Sequence, residues 1–147
     1  MNTSMTPIKY SDLNSKQKEI YNFQKVAALL ADYGFNCIKL ADDWQGADFL
    51  AYHMDGISTL RVQLKSRLSI AKKYEAKELH MAFPVKGIWY LISHDKLVKL
   101  VSRHCNWLKT ASWVDGGSYT SVAPSKALTQ ALQSYRLEAS AITQLKS

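Results

Sequence analysis

The stretch GADFLAYHMDGISTLRVQLKSR (46–67) constrains the fold more than any other part of the chain. Two runs rich in apolar, aromatic and β-branched residues flank Asp55-Gly56, a dipeptide that tolerates the positive φ of a hairpin turn. Their alternation predicts half-buried strands over 47–54 and 58–66. Side chains alternate along a strand, so Gln63 and Lys65 share one face while Val62 and Leu64 share the other. A hairpin in this register brings Asp48 level with Gln63 and Lys65. A hairpin alone is marginal in water, so its apolar face must pack on other elements.

The flanking sequence supplies those elements. Residues 12–33 read as a long helix, with Ile20, Phe23, Val26, Ala27, Leu30 and Tyr33 stepping by three and four to form one stripe. Ser11 or Asn14 is positioned to cap its start, and Gly34 suits the left-handed position after its end. A first strand follows over 35–40, then a polar connection ADDWQG. Beyond the hairpin, RLSIAKKYEAK (67–77) has no clear period and reads as a loop tracking a ligand. ELHMAFPV (78–85) and GIWYLI (87–92) are further strands with a turn at Lys86-Gly87. SHDKLVKLVSRH (93–104) reads as a helix with Ser93 at the cap. TASWVDGGSYTS (110–121) reads as a loop, and 124–137 as a last amphipathic helix opened by Pro124. The order predicts an α+β fold: a central mixed five-stranded sheet flanked by helices.

The chain has 147 residues, 47% of them hydrophobic, enough for one domain with a sizeable core. A single domain over 1–147 is expected, with a loose arm over 1–10, a motif-bearing core over 11–92, and helices and a loop over 93–147. Two cysteines, Cys37 and Cys105, are too few for a disulfide framework and lack zinc spacing. No run approaches a membrane span or a secretory signal, so a cytoplasmic location without membrane contact is expected. The formal charge is +7. A positive excess favours a polyanionic partner, most simply nucleic acid. It is concentrated near the hairpin, at Lys65, Arg67, Lys72, Lys73 and Lys77.

Asp48, Gln63 and Lys65 form a chemically pointed set. The Asp48 carboxylate and the Gln63 amide oxygen, with the Leu64 backbone carbonyl, are hard oxygen donors suited to Mg²⁺ or Mn²⁺. A divalent ion there would polarise a phosphate oxygen and lower the pKa of a bound water. Lys65 would orient that water or stabilise charge in the transition state. Arg67, Lys72, Lys73 and Lys77 would contact flanking phosphates; the alternative for Lys72, Lys73 and Lys77 is a solvated charge run.

With the preceding helix QKVAALLADYGF and the frame GADFLAY…LRVQLKSR, Asp48…Gln63-Leu64-Lys65 resembles the PD-(D/E)XK nuclease superfamily in its D…QxK variant. The resemblance covers about residues 11–92. It implies a restriction-endonuclease-like core and a metal-dependent DNA endonuclease. Asp48 would be the metal-binding acid, Gln63 the second ligand and Lys65 the catalytic lysine. It also implies DNA as substrate and a homodimer as the usual working form. One position departs: the first-helix acid of related nucleases falls here on Phe23, leaving Glu19 or Asp43 as candidates to complete the metal shell. If neither does, a catalytically inactive, nucleic-acid-binding or regulatory module is the alternative.

Other polar and aromatic residues receive structural readings. His94 and Asp95 open a helix, where Asp95 suits the positive end of the dipole. His53 and His80 stand alone. Trp89 and Tyr90 belong to an apolar strand and the core, Trp44 to a loop anchor. Trp107, Trp113 and Tyr119 pin the Gly-rich loop rather than stack on bases.

Overall fold

The computed structural model describes residues 4–138, with the side chains of Asp43 and Trp44 outside that description. Helix α1 (Ser15–Ala31) starts at Asn14, whose side chain accepts the Gln17 N–H at 2.8 Å while Gln17 Oε1 accepts the Asn14 N–H at 2.9 Å. This reciprocal box satisfies two N–H groups that the first turn would otherwise leave open. It fixes Asn14 as the cap, and Ser11 lies in a separate 3-10 turn, Tyr10–Asp12. The buried stripe is Asn22, Val26 and Leu30, narrower than the pattern predicts; Ile20 and Tyr33 are 41% and 44% exposed. Gly34 ends the helix at φ +88°, and a Cβ there would meet His53 Nε2 at 2.9 Å.

Strand β1 (Phe35–Trp44) runs straight through the segment expected to be a polar connection. The reversal is made by Gln45 and Gly46, both at positive φ (54° and 87°). It leads into β2 (Ala47–His53) and β3 (Thr59–Leu64). Asp55 organises the loop between them: Oδ1 accepts the N–H groups of Ile57 and Ser58, each at 2.8 Å, and Oδ2 accepts the Ser58 hydroxyl at 2.7 Å. These bonds, with the His53 ring beside it, hold the Asp55 carboxyl down to about 2.

The chain then forms β4 (Leu68–Ala71), a 3-10 turn Lys72–Tyr74, β5 (Leu79–Val85) and β6 (Ile88–Ser93). The main sheet has five strands in the order β1-β2-β3-β5-β6, parallel at β3–β5 and antiparallel elsewhere. It is the expected mixed sheet. Strands β3 and β5 are central and β5 is covered on both faces, which accounts for its nearly unbroken apolar run. On one face α1 packs Val26 and Leu30 on Phe49, Ala51, Val62 and Ala82. On the other, Met81, Phe83 and Tyr90 meet Leu68 and Ile70 of β4, Leu97 and Val101 of α2 (His94–His104), and Leu128 of α4 (Lys126–Ala131).

Residues 67–77 are therefore not a ligand-tracking loop. Leu68, Ile70 and Tyr74 are buried in the second core, and β4 pairs antiparallel with β7 (Ser118–Ser121). The Gly-rich segment supplies that partner strand and a one-turn helix α3 (Ala111–Val114). The last helix is also shorter than expected, ending at Ala131 before a 3-10 turn, Gln133–Tyr135. Among the described residues no helix is long and apolar enough to cross a membrane.

Candidate active site at the parting of two strands

Strands β2 and β3 pair from Tyr52↔Thr59 to Phe49↔Val62. The next step in register would set Asp48 opposite Gln63, but there the ladder changes character. The Asp48 side chain enters it: Oδ2 accepts the Leu64 N–H at 2.7 Å. On its other side the end of β3 stays on the parallel ladder, with Leu64 opposite Ala82 and the Lys65 N–H donating to Ala82 O at 2.9 Å. The sequence places a carboxylate at the point where β2 leaves β3, and the charge-assisted bond holds it beside the Gln63–Lys65 segment.

Gln63 lies opposite Met81, on the face away from α1, and is 6% exposed. Its Oε1 is buried with no hydrogen-bond partner among the described residues. A buried acceptor left unpaired costs about 1–3 kcal/mol, so a strand core would ordinarily carry an apolar residue here. The chemistry of the donor set fits a hard divalent cation: one carboxylate, one amide oxygen in want of a partner, and the Leu64 carbonyl between Gln63 and Lys65. Lys65 is half-buried, with Nζ 5.7 Å above the centre of the Tyr74 ring.

Asp48 and Lys65 line a cleft of about 1130 Å³ between α1 and the sheet, together with Glu19, Phe23, Lys39 and Arg67; Gln63 is not part of that lining. Glu19 faces this space, but its carboxylate is 3.3 Å from Lys16 Nζ. Phe23 occupies the register in which the resemblance implies a helix acid. Its ring packs edge-on against Phe49 at 5.1 Å and carries Lys39 Nζ at 5.7 Å. Asp43 falls outside the described side chains. No cluster of three or more His, Cys, Asp or Glu able to hold a metal occurs among the described residues.

The basic residues divide. Arg67 is exposed on the cleft. Lys72 reaches away from it, donating to Val114 O at 3.2 Å and lying 5.7 Å over Trp113. Lys73 sits 5.2 Å over Tyr74 and, with Lys77, lines a smaller cavity of about 220 Å³ beside Gln45 and Gly46. The cleft is instead flanked by Lys18, Lys25 and Lys39, which sequence reasoning did not single out. The signal was available, since 18 and 25 lie seven apart and return to one helix face.

His94 opens α2 as expected and is also a core residue. It is 1% exposed, its Nε2 accepts the Ala71 N–H at 3.1 Å, and burial lowers its pKa. Asp95 opens α2 as expected and accepts the Ala76 N–H at 3.2 Å. His80 is also pushed down, by burial and then by Lys96. Trp107 and Trp113 are each 7% exposed, and Trp107 stacks on Tyr119 at 4.5 Å, so both tryptophans anchor the segment.

No protein-family model and no curated protein matches the sequence. Among solved structures, Hjc, a Holliday junction resolvase from Archaeoglobus fulgidus, is similar at 15% identity over 52% of this chain and 76% of its own, with a TM-score of 0.39. The bacterial homing endonuclease I-Ssp6803I is similar at 15% identity over 91% of this chain and 99% of its own, with a TM-score of 0.44.

Proposed function

We propose that the chain is a metal-dependent DNA endonuclease with a restriction-endonuclease-like core and a D…QxK site. The observation that carries the reading is the junction itself. The Asp48 carboxylate is fastened at 2.7 Å to the N–H of Leu64, the residue after Gln63, whose Oε1 is buried with no hydrogen-bond partner among the described residues.

Asp48, Gln63 Oε1 and the Leu64 carbonyl would hold Mg²⁺ or Mn²⁺, which when bound supplies Lewis-acid polarisation of a phosphate oxygen. Lys65 places an ammonium at the same strand end, where it stabilises negative charge developing on the scissile phosphate. Arg67 with Lys18, Lys25 and Lys39 offers positive charge along the cleft to the flanking backbone. A cytoplasmic location and a homodimer acting on duplex DNA accompany this reading.

The test is incubation of the purified protein with plasmid and branched DNA in Mg²⁺ or Mn²⁺, beside Asp48→Ala and Lys65→Ala. Metal-dependent cleavage lost in both variants is the expected result. Binding without cleavage across a range of divalent ions would refute it. That outcome belongs to a second reading, a nuclease fold that binds nucleic acid without cutting. One observation favours it: Phe23 fills the helix position where an acid is expected, and Glu19, a helix acid on the cleft, lies 3.3 Å from Lys16 Nζ.

A further inference from the structure

We infer that Tyr74 is a positioning residue for the proposed reaction, a fixed aromatic platform that sets the Lys65 ammonium against Asp48; the inference rests on the nuclease reading. Tyr74 closes the 3-10 turn after β4 and is 4% exposed. The Lys65 Nζ lies 5.7 Å above the centre of its ring, within the range where a cation is attracted to an aromatic face. A flexible four-carbon side chain at a strand end otherwise samples many rotamers, and a fixed ring face selects among them.

The ring is itself held from two sides. His94 meets it edge-on, with centroids 5.6 Å apart and planes at 82°. His94 is anchored by its Nε2, which accepts the Ala71 N–H at 3.1 Å. Gly46, two residues before Asp48, is so close that a Cβ on it would lie 3.2 Å from Tyr74 Cδ1. One buried ring thus touches the turn that delivers the carboxylate and the ammonium that must work with it. Lys73 Nζ lies 5.2 Å over the same ring, so the ring carries two ammonium groups, of which Lys65 is the one that lines the cleft with Asp48.

The test compares Tyr74→Phe and Tyr74→Leu in full-length protein, with thermal unfolding as a folding control. Two quantities are read: metal-dependent cleavage split into kcat and KM, and the NMR shift of the Lys65 Hε protons without DNA, which a ring face moves upfield. In Tyr74→Phe, which keeps the ring, kcat and the upfield shift should persist. In Tyr74→Leu the shift should vanish and kcat fall roughly tenfold to a hundredfold, the scale of a small misplacement at a reacting centre, with KM little changed. If Tyr74→Leu does not fold, Tyr74→Met takes its place with the same expectations. A Leu or Met variant that folds and cleaves like the wild type overturns the inference alone. Cleavage by no protein, wild type included, overturns the functional reading and the inference with it.

Discussion

Gln63→Met should stabilise the metal-free protein while removing its response to divalent ions. Met has nearly the length and volume of Gln and no carbonyl, so it fits the slot opposite Met81. Gln63 Oε1 is buried with no partner among the described residues, and such an acceptor costs about 1–3 kcal/mol of desolvation. Removing it returns that amount. With a urea m-value of about 2 kcal/mol/M for a domain of this size, the unfolding midpoint in EDTA should rise by about 0.5–1.5 M. The wild type should gain stability in Mg²⁺, by about 1.4 kcal/mol at an ion concentration ten times its Kd. Gln63→Met should gain much less. The assay is urea unfolding followed by tryptophan fluorescence, with EDTA and with Mg²⁺. A lower midpoint for Gln63→Met in EDTA would show that Oε1 is satisfied in solution. An equal Mg²⁺ response in both proteins would show that Gln63 does not contact the ion.

Asp48 needs a paired substitution, because it accepts the Leu64 N–H as well as facing the site. Asp48→Ala should lose cleavage and about 1–3 kcal/mol of stability, while Asp48→Asn, which keeps an acceptor, should lose cleavage with little loss of stability in urea unfolding. Gly46→Ala should destabilise by about 1–3 kcal/mol, since φ is +87° and the new Cβ would lie 2.7 Å from Leu79 Cδ1; its urea midpoint should fall accordingly. His94 and His80 both have lowered pKa values, so below their ordinary value of 6.5 the unfolded chain takes up protons the folded one resists. Stability is therefore full above that value and falls as pH drops below it. Urea midpoints at pH 7.5 and 5.5 should show this loss, smaller in His94→Gln, whose amide oxygen can still accept the Ala71 N–H.

The fold was legible where local chemistry and tertiary context agree. The Asn14 box, Gly34 and the strand alternation around Val62 and Leu64 are local signals, and each element appears where they point. Residues 67–77 were not legible because Leu68 and Ile70 become a strand only when Ser118–Ser121, some fifty positions later, supplies the partner. The burial of His94 likewise depends on a distant backbone N–H, that of Ala71. In the site, alternation predicts Gln63 and Lys65 on one face, but β3 ends at Leu64, and Lys65 lines the cleft while Gln63 does not. The bond from Leu64 N–H to Asp48 could not be read, because it exists only where the β2–β3 ladder breaks. The division of the lysines was also hidden: Lys72 and Lys73 are neighbours in sequence, yet one packs over Trp113 and the other over Tyr74.

The helix position filled by Phe23 bears on how the proposed site would acquire its ion. A lone carboxylate beside an ammonium is a weak trap for Mg²⁺, which is usually held by one or two carboxylates together with substrate phosphates. The cleft carries Lys18, Lys25, Lys39, Lys65 and Arg67 against Asp48, Glu19 and Asp32, a net positive field that disfavours free cations and attracts a polyanion. Phosphate oxygens would both offset that charge and supply missing ligands, so ion and DNA should bind with positive coupling. By linkage each must raise the affinity for the other by the same factor. Calorimetric titration of Mg²⁺ into Lys65→Ala should show weak binding alone and tighter binding with duplex DNA present. Phe23→Glu, which adds a carboxylate facing the cleft, should raise the affinity for Mg²⁺ without DNA and shrink the coupling. Tight Mg²⁺ binding in the absence of DNA, or coupling left intact in Phe23→Glu, would contradict this account of why the site tolerates an aromatic residue there.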